Sequence, residues 1–118
     1  MSLDFVRSIV AAGALAAAIT VVAGGSAPQA QETTALSIAI KGHRFQPPEL
    51  RAPANRAITI SVKNLDSAAI EFESVSLRVE KVVTPGSEGV VRVRPLAPGK
   101  YEFFDDFHQE TRGTLTVQ

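Results

Sequence analysis

His43 and His108 are the only imidazoles in this chain, and it contains no cysteine. Thiol nucleophiles, thiolate metal sites and disulfides are excluded together, leaving imidazole and carboxylate as the chemistry-bearing groups. The richest stretch is Tyr101-Glu102-Phe103-Phe104-Asp105-Asp106-Phe107-His108. If Tyr101 and Phe103 face a core, period-two alternation puts Asp105 on the same inward side. His108 follows three residues later, and an acid and an imidazole so placed could both ligate a metal ion at the open end of a β-structure. The bland alternative is that Asp105 or Asp106 caps a turn and His108 is solvated. A second acidic group, Glu71 and Glu73, alternates with Ile70 and Phe72. Two like charges on one strand face repel unless water, Arg, Lys or a cation stands between them; an ordinary wet face is the other reading. Lys81 is a candidate to neutralise a nearby acid. His43 closes the first predicted strand, and the sequence leaves open whether it reaches the pole of His108 or the opposite one.

These groups must be held by strands. Leu36, Ile38 and Ile40 alternate with polar or small residues, as do Ile58, Ile60 and Val62, then Val91 and Val93, then Leu115 and Val117. Each pattern suits a strand with one buried and one wet face. Turn signals fall between them: QPPE at 46–49, NLDS at 64–67, TPGSEG at 84–89 and APGK at 97–100. No long stretch after residue 30 has helical spacing. Short strands punctuated in this way predict an all-β chain folded as an antiparallel sandwich or barrel. Phe45, Phe72, Phe103 and Phe107 are expected to fill core and rim rather than bind a ligand.

The chain of 118 residues carries 12 Lys+Arg against 12 Asp+Glu. That balance argues against nucleic-acid or anionic-membrane binding, and the length bounds the chain to one domain with little volume for a deep enzymatic cleft. Residues 1–30 read as a separate segment. A head carrying Arg7 precedes the apolar run IVAAGALAAAITVVA, and small residues and PQAQETTA follow it. This is the order of a secretory signal, too short and Ala-rich for a comfortable membrane span. Asp4 offsets Arg7 and no clean A-x-A site is present, so an uncleaved N-terminal anchor is the exception to weigh. The expected organisation is residues 1–30 as signal peptide or anchor and residues 31–118 as the folded domain.

The run YEFFDDFHQETRGTLTV resembles the closing strand, ligand loop and last strand of a cupredoxin, and the preceding PLAPGK resembles the family's turn into that strand. HRFQPPELRAPANRAITISVKN is similar to the family's opening strands. The resemblance implies a cupredoxin-like Greek-key β-sandwich. Laid on the family pattern, Asp105 falls at the Cys ligand, His108 at the His ligand, Gly113 at the Gly that opens the final strand, and Glu71 at the upstream His ligand, after the Asn64 turn. No Met stands in the loop, which looks shortened. The segments HRFQPPEL, EFES and FFDDFH more specifically resemble EfeO-type cupredoxin-like proteins of bacterial ferrous iron uptake. That resemblance implies a periplasmic protein acting beside a membrane iron permease and other iron-uptake components, with copper or iron as the metal. Without a thiolate no blue copper site can form, and a His and carboxylate set suits Cu(II), Fe(II), Fe(III), Zn(II) or Mn(II).

The expected function is therefore metal binding in support of iron uptake, by oxidising Fe(II) or handing iron to the permease. His108, Glu71 and one of Asp105 or Asp106 are the expected ligands, and His43 and Glu73 further candidates. The competing reading is a metal-free sandwich that docks a permease or another periplasmic partner, with its acids satisfied by Lys, Arg or backbone N–H groups. A hydrolase is disfavoured because no nucleophile–base constellation is visible.

Overall fold

The structure, a computed structural model, describes residues 32–118; the expected signal segment lies outside the described residues. None of the described residues is helical. Nine strands follow in chain order: β1 (Thr34–Lys41), β2 (Arg44–Gln46), β3 (Glu49–Ala52), β4 (Ile58–Asn64), β5 (Ile70–Ser74), β6 (Val79–Val83), β7 (Glu88–Val93), β8 (Gly99–Asp105) and β9 (His108–Val117). They form two sheets, one of order β2-β1-β4-β7 and one of order β3-β9-β8-β5-β6. The chain is thus an all-β, two-sheet sandwich.

The alternating residues do what their period requires. Ile38 and Ile40 of β1, Ile58, Ile60 and Val62 of β4, and Val91 and Val93 of β7 point into the sandwich from one sheet. Ile70 and Phe72 of β5, Phe103 of β8, and Leu115 and Val117 of β9 meet them from the other. Pairing is not purely antiparallel: β1 runs parallel to β4, and β3 parallel to β9. Local alternation cannot reveal this, because it says which face of a strand is buried and nothing about its neighbour's direction.

Three features of this frame determine the geometry of one pole. Phe45, Phe72 and Phe103 pack as a trio with ring centroids 5.0 to 6.0 Å apart, Phe72 stacked on Phe103 and Phe45 edge-on to both. Asn64 ends β4 fully buried; its Nδ2 donates to the carbonyls of Ala68 and Val83, and its Oδ1 accepts the Asp66 N–H. Gly113 lies inside β9, where a Cβ would stand 2.4 Å from Cε1 of Phe103 and 3.0 Å from the Pro48 carbonyl oxygen. The Phe103 ring occupies the space that any side chain at 113 would need.

The final strand departs from the cupredoxin pattern on which it was read. β9 begins at His108 rather than at Gly113, and Asp105 pairs directly with His108. The ligand loop is thereby reduced to the turn Asp106–Phe107. His108, Glu110 and Arg112 are available to extend the ladder because no Pro or Gly interrupts the run before Gly113.

Candidate metal centre

Asp105 is inward and fully buried, as the alternation with Phe103 demands. A buried carboxylate must be compensated, and this one is. Its Oδ1 accepts the N–H of Glu71 at 2.9 Å and that of Phe107 at 3.0 Å. Its Oδ2 lies 2.7 Å from Nδ1 of His108. With the carboxylate as acceptor, Nδ1 of His108 carries the proton and the Nε2 lone pair is left for another partner. This is the arrangement in which a carboxylate orients a metal-binding imidazole from behind. The His108 side chain keeps 29% of its surface exposed, so its free edge is reachable from solvent.

The open question of His43 is answered by the β1–β2 turn. His43 reaches the pole of His108, and the two rings stand with centroids 4.4 Å apart, tilted by 49°. His43 occupies the left-handed region at φ 56°, next to Gly42 at φ 60°. A non-glycine residue needs compensation to stay there, and two contacts supply it. The Asp66 carboxylate accepts the N–H of Gly42 at 2.6 Å and that of His43 at 3.0 Å. The hydroxyl of buried Thr111 donates to the His43 carbonyl at 2.8 Å, tying the turn to β9. The His43 N–H, aided by the Gly42 N–H and the two imidazoles, holds the Asp66 carboxyl below the usual Asp value against the opposing effect of desolvation.

The other candidate acids gather elsewhere. Glu71 and Glu73 project from β5 away from the core, and Asp106 joins them from the β8–β9 turn, its N–H donating to the Glu71 carbonyl. One carboxylate oxygen from each of Glu71, Glu73 and Asp106 falls within 4.8 Å of the others. Glu80 of β6 pairs across from Glu73 and adds a further charge. Desolvation first, then repulsion from Glu80, Glu73 and Asp106, pushes Glu71 above the usual Glu value; desolvation, Asp106 and Glu80 do the same to Glu73. Lys81 does not neutralise them. Its stem lies beside Gly89 of β7, and among the described residues it forms no ion pair. Gln109 is the polar partner that Asp106 has, donating to it at 2.9 Å.

The six candidate residues therefore sort into two sets. His43, His108 and Asp105 make an imidazole pair with an orienting acid; Glu71, Glu73 and Asp106 make a carboxylate trio. Glu71 links them only through its backbone N–H on Asp105. Asp66 and Thr111 were not legible as site residues. Asp66 sits in the NLDS turn, whose Asn-x-Asp spacing signals a side-chain-stabilised turn but does not name the turn's distant partner.

Residues 12–117 match the cupredoxin-like domain family. The chain belongs to that family. Within it, a protein of Rickettsia prowazekii (strain Madrid E) described as uncharacterized is 42% identical over 76 residues, 64% of this chain and 61% of that protein. The chain thus aligns with about three fifths of that relative's length. Among solved structures, auracyanin B superposes with a TM-score of 0.63 at 18% identity, covering 78% of this chain and 93% of that one. The purple cupredoxin of Nitrosopumilus maritimus gives 0.56 at 20% identity, over 70% and 98% of the two chains. The metal-binding domain of the Cu(I)-exporting ATPase CopA of Streptococcus pneumoniae D39, solved with Cu(I), gives 0.61 at 15% identity, over 76% and 99%. At such identities the likeness is one of fold. This cupredoxin-like chain contains no cysteine. A blue copper centre needs a Cys thiolate, so the chain cannot form one.

Proposed function

We propose that this chain is an exported, periplasmic metal-binding protein whose Cu(II) ligands are His108 and His43. The observation that carries the reading is the meeting of the chain's only two imidazoles, from separate hairpins, with the Asp105 carboxylate 2.7 Å from Nδ1 of one. Two neutral imidazoles and open positions suit Cu(II), whereas the absence of thiolate and thioether from the pair disfavours Cu(I). Bound there, copper would supply a redox-active centre. The trio Glu71, Glu73 and Asp106 is an oxygen set suited to a hard cation, and iron is the substrate we assign to it. On the EfeO-type resemblance, the protein would serve ferrous iron uptake beside a membrane permease, passing iron onward or oxidising Fe(II), each Fe(II) giving one electron to Cu(II) and dioxygen or another external acceptor restoring Cu(II).

One observation favours the metal-free docking module instead: Asp105 has its oxygens satisfied by two backbone N–H groups and His108. Titration calorimetry separates the readings. Cu(II) should bind the native protein, bind at least tenfold more weakly to His108→Ala, and bind unchanged to Glu71→Gln/Glu73→Gln. Anaerobic Fe(II) should show the converse dependence. Copper binding indifferent to both imidazoles would remove the site, and protein isolated from the periplasm without metal, yet retained by a partner in chelator, would favour docking.

A further inference from the structure

We infer that Asp66 is the positioning residue of the imidazole pair: its carboxylate holds the Gly42–His43 turn in the one backbone conformation that stands the His43 ring against His108. The inference rests on the proposed copper site for its importance, though not for its geometry. Both turn residues are left-handed, at φ 60° and 56°, and glycine alone adopts that region freely. The two-residue hairpin loop between paired Lys41 and Arg44 calls for that backbone at both positions, and at His43 it carries the steric cost of a left-handed L-residue, which contacts from outside the turn offset. Asp66 supplies such contacts with both oxygens, one for each of the two successive N–H groups. Two successive amides aimed at one carboxylate form a small anion-binding concavity, here filled by a side chain distant in sequence. Asp66 is in turn fixed, since its own N–H is held by Oδ1 of buried Asn64, and the Leu65 N–H donates to the Ile40 carbonyl. The order of dependence runs from buried Asn64 to Asp66, from Asp66 to the turn, and from the turn to the ring of His43. Thr111 holds the carbonyl side of His43 alone and leaves both N–H groups to Asp66.

A double-mutant cycle tests this on the whole protein, with Asp66→Ala, His43→Ala and the combination. In metal-free protein, the nuclear Overhauser contacts between the His43 and His108 rings should disappear in Asp66→Ala, and the Gly42 and His43 amides should exchange at least tenfold faster. With Cu(II) as the probe, Asp66→Ala should raise the dissociation constant about as much as His43→Ala, roughly tenfold. The electron paramagnetic resonance spectrum should lose the coupling to one imidazole nitrogen. In the His43→Ala background the Asp66 substitution should change the copper constant less than twofold. Asp66→Asn, which keeps one acceptor oxygen, should fall between the two and guards against a poorly folding alanine variant. Ring contacts retained in full in a folded Asp66→Ala, or undiminished in Asp66→Asn, would overturn the inference, as would an equal loss of affinity with and without His43. If the native protein binds no Cu(II), the functional proposal fails, and the ring contacts and amide exchange of metal-free protein still decide the role of Asp66.

Discussion

The sharpest consequence of this geometry concerns Asp105, which serves both the fold and the imidazole. Replacing it by alanine leaves the N–H groups of Glu71 and Phe107 without their acceptor, in bonds that are part-buried although Asp105 itself has no exposed surface. A fully buried orphaned donor costs about 1–3 kcal/mol, so two set an upper limit of about 6 kcal/mol, a large share of the stability of a small domain. Asparagine is the informative substitution. Its carbonyl oxygen can keep both N–H groups, while its amide now faces Nδ1 of His108. Two donors cannot share that contact, so His108 must carry its proton on Nε2 and present Nδ1 as acceptor. The variant should remain folded, with the lone pair once free at Nε2 withdrawn from metal. Loss of such an orienting acid typically weakens a metal site 10–100-fold, or about 1.4–2.7 kcal/mol. Urea unfolding gives the stability arm, nitrogen-15 shifts of the imidazole give the tautomer, and Cu(II) calorimetry gives the affinity. Asp105→Ala as stable as the native protein, or Asp105→Asn with Nδ1 still protonated and full copper affinity, would refute the reasoning.

Gly113→Ala should destabilise by about 1–3 kcal/mol or more, because its Cβ would sit 2.4 Å from Phe103; a thermal melt lowered by several degrees checks this. Asn64→Ala should cost about 2–5 kcal/mol by releasing two carbonyls and the Asp66 N–H, and urea unfolding measures it. Glu71 and Glu73 are raised above the ordinary Glu value of 4.5, so the folded state binds protons more tightly than the unfolded one. Stability from this face is therefore greatest in acid and falls as pH rises from about 4.5 through the raised values. Glu73→Gln should match the native protein near pH 4 and exceed it in stability at pH 7, and a native curve parallel to the variant's across that range would contradict the electrostatic account.

Period-two alternation already sorts this chain's residues into inside and outside. Ile38, Ile60, Phe72, Phe103 and Leu115 are buried and Glu71 and Glu73 are not, because β-structure has a fixed period of two and water sorts its faces. Asp105 could be placed inward by the same rule, and the absence of cysteine alone excluded a blue copper centre. Tertiary structure decided who meets whom. The parallel pairing of β1 with β4 and the crossing between sheets carry His43 to His108, residues that no local pattern connects. The same packing groups the Glu71 side chain with Glu73 and Asp106 on the outer face of β5, while His108 turns to Asp105 and His43, although the cupredoxin resemblance set Glu71 and His108 together as ligands. Asp66 shows the limit most clearly. Its local turn was readable, but the two amides it holds lie 23 and 24 residues away, and hydrogen-bond partners at that distance are set by strand register, which one-dimensional periodicity does not encode.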